Sequence, residues 1–580
     1  MRTVFGVWAV LAIGASAAGC GTGASPDTRG PFHGASGGDI PPLGASAGTG
    51  SASNTGQSPG APIIGSAGTG SVADLPPEME MSVDLQLPQA SDHYVYAVNP
   101  DAGSVAVIDA LTQAIQTVKT GTRPTYLRTL PATDNAVVIN VGSNKASVIR
   151  VTAQGAAKSD LNVGSGANAI AVSPDGKHVV VYYNSTYASA GNSSGSYQDV
   201  SVLALSADGK SDQATSMTVG FRPRDVFFSD DNKNAFVVTE DGVSVLDFAQ
   251  IDKQGSGIAK LVSFGGSVDQ KNSDVSVTPD GLFALARAEG KSVLHLVELA
   301  SGRVRSLDLA KAYTPPPPDS EDDAGVPVML PVEVTDLDLM PGGHAALAVL
   351  RNQSAVLTVP LPAAFDDAAQ VKTLNVEGEV IGSVTVAPDG KTALAYTTAA
   401  NVERITILDL TSSTTPPHTV ALRKAVLAVA YTPDSKTALI THTKLNGAPT
   451  QRGLSPDDVI DRSFGYSLLS VPSGDVKLQV TQTSLGPIAM VPDGSYLFIL
   501  FRDDTLGIKE VQRVALSSFL VDPIIQLENP PISIGVAPAS GTVFVNLEHT
   551  DGRMTFIDWK EPLTKLKTVT GFELNSRIRD

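Results

Sequence analysis

The sequence predicts an all-β chain assembled from about ten copies of one four-stranded unit. Three observations carry this. Tight turns rich in Pro, Asp and Gly recur down the chain, short strands of β-branched residues flank each turn, and no helical period competes over the same span.

The turns come first. They are Leu87-Pro88-Gln89-Ala90, Leu130-Pro131-Ala132-Thr133, Ser173-Pro174-Asp175-Gly176, Ser229-Asp230-Asp231-Asn232 and Thr278-Pro279-Asp280-Gly281. Then follow Met340-Pro341-Gly342-Gly343, Ala387-Pro388-Asp389-Gly390, Thr432-Pro433-Asp434-Ser435, Val491-Pro492-Asp493-Gly494 and Ala537-Pro538-Ala539-Ser540. Proline presets the first turn angle, Asp bonds its own backbone, and Gly accepts a positive φ. The nine intervals from Pro88 to Pro538 average 50 residues.

The strands come next. An alternating strand precedes each turn, as in Ala169 to Val172 or Ser383 to Val386. A β-branched or aromatic strand follows it, as in Tyr94 to Val98 or Ala235 to Val238. A third strand ends in Asp, as in Val105 to Asp109, Val243 to Asp247 and Ile405 to Asp409. A fourth closes the unit, as in Ala114 to Thr120. Four antiparallel strands per period mark a β-propeller blade. One ring of about ten blades is preferred over two rings of five. The Pro-rich and acidic stretch 310–331 falls midway and is read as a loop insertion.

Tyr94 to Asn99, Val105 to Asp109 and the junction Gly121-Thr122-Arg123-Pro124 resemble the YVTN family of β-propeller repeats. Gly220-Phe221-Arg222-Pro223 is a second copy of that junction. The resemblance covers about residues 81 to 571. It implies the fold, and it spans surface-layer proteins, lactonase-like enzymes and extracellular binding proteins.

Composition agrees. Hydrophobic residues make up 42% and charged residues only 17%, with 53 Gly and 38 Pro, which suits short strands joined by turns. A net charge of −18 repels phosphate backbones and argues against nucleic acid.

Residues 1–19 read as a lipoprotein export signal. Arg2 supplies positive charge, Val4 to Ile13 is an apolar run too short for a stable span, and small residues lead to Cys20. Ala17-Ala18-Gly19-Cys20 resembles the bacterial lipobox, with Ala17 where Leu is usual. That resemblance implies acylation of Cys20, the chain's sole cysteine. Residues 20–80 read as a flexible linker of Gly, Ser, Ala and Pro, with a reach of roughly 40 Å. The repeat domain is assigned to residues 81–580. By analogy with lipoprotein sorting, the anchor is expected in the outer membrane of the cell envelope.

Three repeats are longer than the rest, at about 184–199, 310–331 and 443–465. Strand alternation puts all three on one face, and function is commonly grafted on such loops. Neutral drift competes with that reading. On the same face, five residues before the second turn position, stand Asp225, Asp274 and Asp336. Three carboxylates from consecutive blades are candidate ligands for a hard cation such as Ca²⁺. The competing reading is that each bonds nearby backbone.

No catalytic set emerges. Gly44 to Gly48 and Gly191 to Gly195 match G-x-S-x-G, but neither lies between a strand and a helix. The eight histidines show no zinc spacing, and no haem-attachment motif or Walker loop is present. Trp8 and Trp559 are the only tryptophans, which disfavours sugar binding by stacked indoles. The leading expectation is therefore a non-catalytic scaffold binding a protein, cell-wall or matrix partner. A lactonase-like hydrolase is the alternative, and a redox-cofactor propeller a further one.

Overall fold

The repeated turn is held by its own side chains. Ser173 Oγ donates to Asp175 Oδ1 (2.7 Å) and accepts from His178 N (2.9 Å), while Gly176 takes φ +69°. The same triangle recurs at Thr278 with Asp280, and at Thr432 with Asp434. Three polar atoms are thereby satisfied within six residues, so each turn sets the register of its hairpin. Turns also bond to turns: Asp230 N donates to Pro279 O in the next blade (2.9 Å), and Asp389 N to Ser435 Oγ (3.0 Å).

The computed structural model describes residues 90–572, apart from 188–194, 266–272, 289, 314–331, 377–378 and 413–414. The signal, Cys20, the linker and the first three residues of the first turn lie outside the described residues.

The strands form ten antiparallel blades, each ordered from the innermost strand outward in sequence order. Blade 2 is representative: Pro124–Thr129, Asn135–Asn140, Lys145–Thr152 and Gly155–Asn162. In blade 1 the described strands are Tyr94–Asn99, Ser104–Asp109 and Ile115–Lys119, with Ala90 bridging Val95 on the inner side.

Each joint between blades is filled by its own apolar cluster. Leu294 and Leu307 of blade 5 pack on Ala346, Leu350 and Leu357 of blade 6. Ala97 and Ile108 of blade 1 pack on Phe544 and Phe556 of blade 10. The other eight joints are filled likewise. Burying one such side chain contributes about 1.5–3 kcal/mol. Because blade 5 meets blade 6 and blade 10 meets blade 1, the ten blades form one closed ring. Two rings of five would have left the first of these joints open.

A polar position runs through this apolar core. The middle of the third strand carries Ser147, Ser201, Ser244, Thr406, Ser467 and Thr555, all buried. Two of these hydroxyls reach the connection that enters their own blade. Gly164 N donates to Ser201 Oγ (3.0 Å) and Gly220 N to Ser244 Oγ (2.9 Å). A small hydroxyl satisfies a buried amide that no strand can pair.

Short helices occur where the sequence reading placed only strands and loops. Phe248–Gln254 follows the third strand of blade 4, with Asp247 accepting from Gln250 N at its start. Phe248 and Ile251 share one face and are buried, and the Phe248 ring stacks on His178 at 3.9 Å. Beyond it, Gly257–Ile258 adds a parallel fifth strand to the outer edge of blade 3.

Candidate functional site

The three long insertions join either the second and third strands of a blade or one blade to the next. The first lies between His178–Tyr182 and Asp199–Ala204, the last between Thr437–His442 and Phe464–Ser470. The middle one follows Val304–Asp308 and precedes Val334–Leu339, and most of it lies outside the described residues. Antiparallel pairing of the successive strands within each blade puts both connection types on one face. The Pro-Asp-Gly turns occupy the opposite face.

Two of these insertions are fastened to the ring. In the first, Asn184 N donates to Asn168 Oδ1 (2.7 Å), Asn184 Nδ2 donates to Arg224 O (2.8 Å), and Arg222 N donates to Tyr197 O (2.7 Å). Gly195 crosses Tyr183 so closely that a Cβ there would stand 2.5 Å from the Tyr183 Cβ.

The last insertion folds around the helix Pro456–Asp461, which Ser455 and Asp458 close with a capping box. Its far end is held by Lys424, only 1% exposed, whose Nζ donates to Ile460 O (2.7 Å) and Asp461 O (3.1 Å). A cation suits a helix C-terminus. Burial pushes the Lys424 ammonium down, and Asp461 and Glu403 oppose that. Beside it His442 bridges Ala425 O (3.2 Å) and Ser467 Oγ (2.7 Å). Burial pushes its imidazole down to about 4.

The three aspartates stand where the spacing placed them, at or near the start of the innermost strands of blades 4, 5 and 6. Their partners differ. Asp336 is buried and accepts from Leu337 N (2.7 Å) and from Val384 N of blade 7 (2.7 Å). Asp338 repeats that bridge to Val386 N (3.3 Å). Asp274 faces Arg287 across the hairpin (3.8 Å), and Arg287 Nη1 donates onward to Val334 O of blade 6 (3.2 Å). Burial pushes the Asp225 carboxyl up; Arg224 opposes this and Asp274 adds to it.

Asp225 and Asp274 therefore feel one another, whereas Asp336 is turned into backbone amides. Among the described residues, no three His, Cys, Asp or Glu side chains gather as a metal-holding group. Of the three, Asp336 joins its blade to the next through a charge-assisted hydrogen bond from Val384 N.

Lys424, Arg287 and His442 were not singled out by sequence reasoning. Each acts on partners far along the chain, so no local spacing marks them. The buried hydroxyls did leave a signal, as the polar middle residue in Val243-Ser244-Val245 and Ile405-Thr406-Ile407.

No family model and no curated protein matches the chain. Among solved structures, it is similar to Kuenenia stuttgartiensis hydrazine synthase at 14% identity, covering 60% of this chain and 95% of that one, with a TM-score of 0.31. It is similar to dihydro-heme d1 dehydrogenase NirN in complex with DHE at 13% identity, covering 65% and 72%, with a TM-score of 0.36. A eukaryotic initiation factor aligns at 12% identity over 83% and 96%, with a TM-score of 0.45. Likenesses at this level carry nothing about the site.

Proposed function

We propose that this chain is an exported, lipid-anchored propeller of the YVTN type. In this reading residues 1–19 are its signal, Cys20 its acylated residue, 20–80 its tether and 81–580 its ring. It serves as a non-catalytic scaffold in the cell envelope, probed by partners on the face that carries the insertions. The partner is a protein, a cell-wall polymer or a matrix component.

One observation carries the binding part. The described parts of two insertions are fastened to the ring by buried polar contacts, Lys424 to the helix end and Asn184 to Arg224 O. Loops that merely drift do not need a buried ammonium to hold them. Preorganised loops bind with less ordering cost.

Photo-crosslinking in cells tests it. A photo-reactive side chain replaces Leu445 on the insertion face, or Lys560 on the opposite face; both positions are exposed. Adducts from the first position alone are expected. Adducts from the second alone, or from neither, sink the reading. For the anchor, Cys20→Ser is expected to stop labelled palmitate incorporation and release the chain from membranes.

A hydrolase reading rests on the raised Asp225 carboxyl beside Asp274 and Arg224, an arrangement suited to proton transfer. Hydrolysis of acyl lactones by the full chain, lost in Asp225→Asn, would support it. No turnover, or turnover kept in that variant, would end it.

A further inference from the structure

Where the insertion of blade 3 meets the passage into blade 4, two aromatic rings are partly exposed. Tyr197 is 36% and Phe221 37% exposed. Their centroids are 5.8 Å apart with planes 31° from parallel. The Arg222 guanidinium sits over both, 5.8 Å from the Tyr197 centroid and 5.2 Å from that of Phe221. Tyr183 meets Tyr197 edge-on at 5.5 Å.

Nothing in this shelf is loosely held. Phe221 N donates to Asp241 Oδ2 (2.7 Å) and Glu240 N to Phe221 O (2.8 Å). Arg222 N donates to Tyr197 O (2.7 Å), and its Nη1 to Glu240 Oε1 (3.2 Å). Four hydrogen bonds thus hold the backbone beneath the two rings and the Arg222 guanidinium beside them.

The fold does not require them. Gly121-Thr122-Arg123-Pro124 makes the same junction into blade 2. Arg123 and Arg222 both adopt the left-handed conformation, at φ +52° and +53°. Thr122 N donates to Ser143 Oγ (3.2 Å) and Thr122 O accepts from Gly142 N (2.9 Å), as Phe221 does with Asp241 and Glu240. A small polar residue therefore serves this position. A phenyl ring held in water there costs hydration free energy and adds no packing to the core.

We propose that Tyr197, Phe221, Arg222 and Glu240 form a subsite for a neutral saccharide, one pyranose ring lying on the aromatic shelf. This deepens the binding-scaffold reading and rests on it. The sugar's axial C–H face suits the negative face of an aromatic ring. Its hydroxyls suit the acceptor on Glu240 and the donors on Arg222. The guanidinium is already paired with Glu240, and Asp241 stands behind Phe221, so the shelf has no positive excess to attract an anion. The chain's charge of −18 turns away polyanions.

Saturation-transfer NMR on the full chain in detergent tests this, with the neutral tetrasaccharides of glucose and of N-acetylglucosamine as probes. At least one is expected to receive saturation on its ring C–H protons. Phe221→Thr copies the blade 2 junction and is expected to weaken binding about tenfold or more, the scale of one well-placed aromatic contact. Tyr197→Ser should do the same, and Thr122→Phe should change nothing. No transfer from either probe, or wild-type affinity in Phe221→Thr, overturns the proposal. If that happens while crosslinks from position 445 persist, the scaffold reading survives without the sugar; if the crosslinks vanish too, both fall.

Discussion

The junctions into blade 2 and blade 4 solve one problem with different atoms. Each must turn the chain through a left-handed arginine and bury the amide of the glycine two residues before it. In blade 2 the Gly121 amide bonds Asn140 Oδ1 (3.1 Å), and Asn140 Nδ2 passes the bond on to Ser147 Oγ (2.9 Å). In blade 4 the Gly220 amide reaches Ser244 Oγ directly (2.9 Å). Outside, the first junction borders an open polar cleft lined by Asp101, Arg123, Lys145 and Asp160. The second carries the aromatic shelf. The inner halves are interchangeable because they answer to the same buried amide. The outer halves answer to no such demand, so they diverge.

Blade 8 extends the comparison and carries the largest expected effect. His442 pairs with Val426 as Asn140 pairs with Pro124, and it bonds Ser467 as Asn140 bonds Ser147. Its imidazole ionises at about 4 in the fold against 6.5 in an open chain. Above pH 6.5 both states hold the ring neutral and nothing is lost. As pH falls from there the unfolded chain takes a proton that the folded ring refuses, so stability declines down to about pH 4. The loss is of order 3 kcal/mol. Urea melts between pH 7 and 4 are expected to show it, and His442→Asn, borrowing the blade 2 solution, should flatten the slope. An unchanged slope would break the equivalence of the two blades.

The junction glycines come second. A Cβ on Gly220 would stand 2.2 Å from Thr239 Oγ1, and one on Gly121 would stand 2.4 Å from Ser143 Oγ. Gly220→Ala and Gly121→Ala are each expected to cost about 1–3 kcal/mol in denaturant melts. If only one does, the junctions are not the same device.

Lys424→Met follows. It strips the cation from two helix-end carbonyls, an expected loss of about 1–2 kcal/mol. Faster amide exchange at 456–463 would show that the loss is local to the arm. Exchange unchanged there would mean that Lys424 does not hold the insertion. Smallest of all should be the swaps Phe221→Thr and Thr122→Phe, within about 0.5 kcal/mol in melting. A large loss in Phe221→Thr would make the ring a structural part after all.

The blades were legible because their chemistry is local. A Ser or Thr, an Asp and a Gly within four residues complete a turn, and the strands beside it alternate in view of any reader. Ring closure was less legible, since it depends on Phe544 and Phe556 meeting Ala97 and Ile108 from the other end of the chain. The aspartates could be placed at the strand starts but not assigned partners. The amide that holds Asp336 lies 48 residues away. Lys424 and its carbonyls are 36 and 37 residues apart. Such contacts exist only once neighbouring blades have docked.

The seam between blades 10 and 1 resembles the other nine joints. It has an apolar cluster that includes both Ala90 and Phe572, and Ala539 N donates to Asp92 O (3.0 Å) as turns do elsewhere. Circular permutation follows from that. With Phe572 joined to Ala90 by a short linker, the chain could begin inside any insertion and keep all ten joints. The order in which ribosomes deliver the blades is a matter of history, not of mechanics.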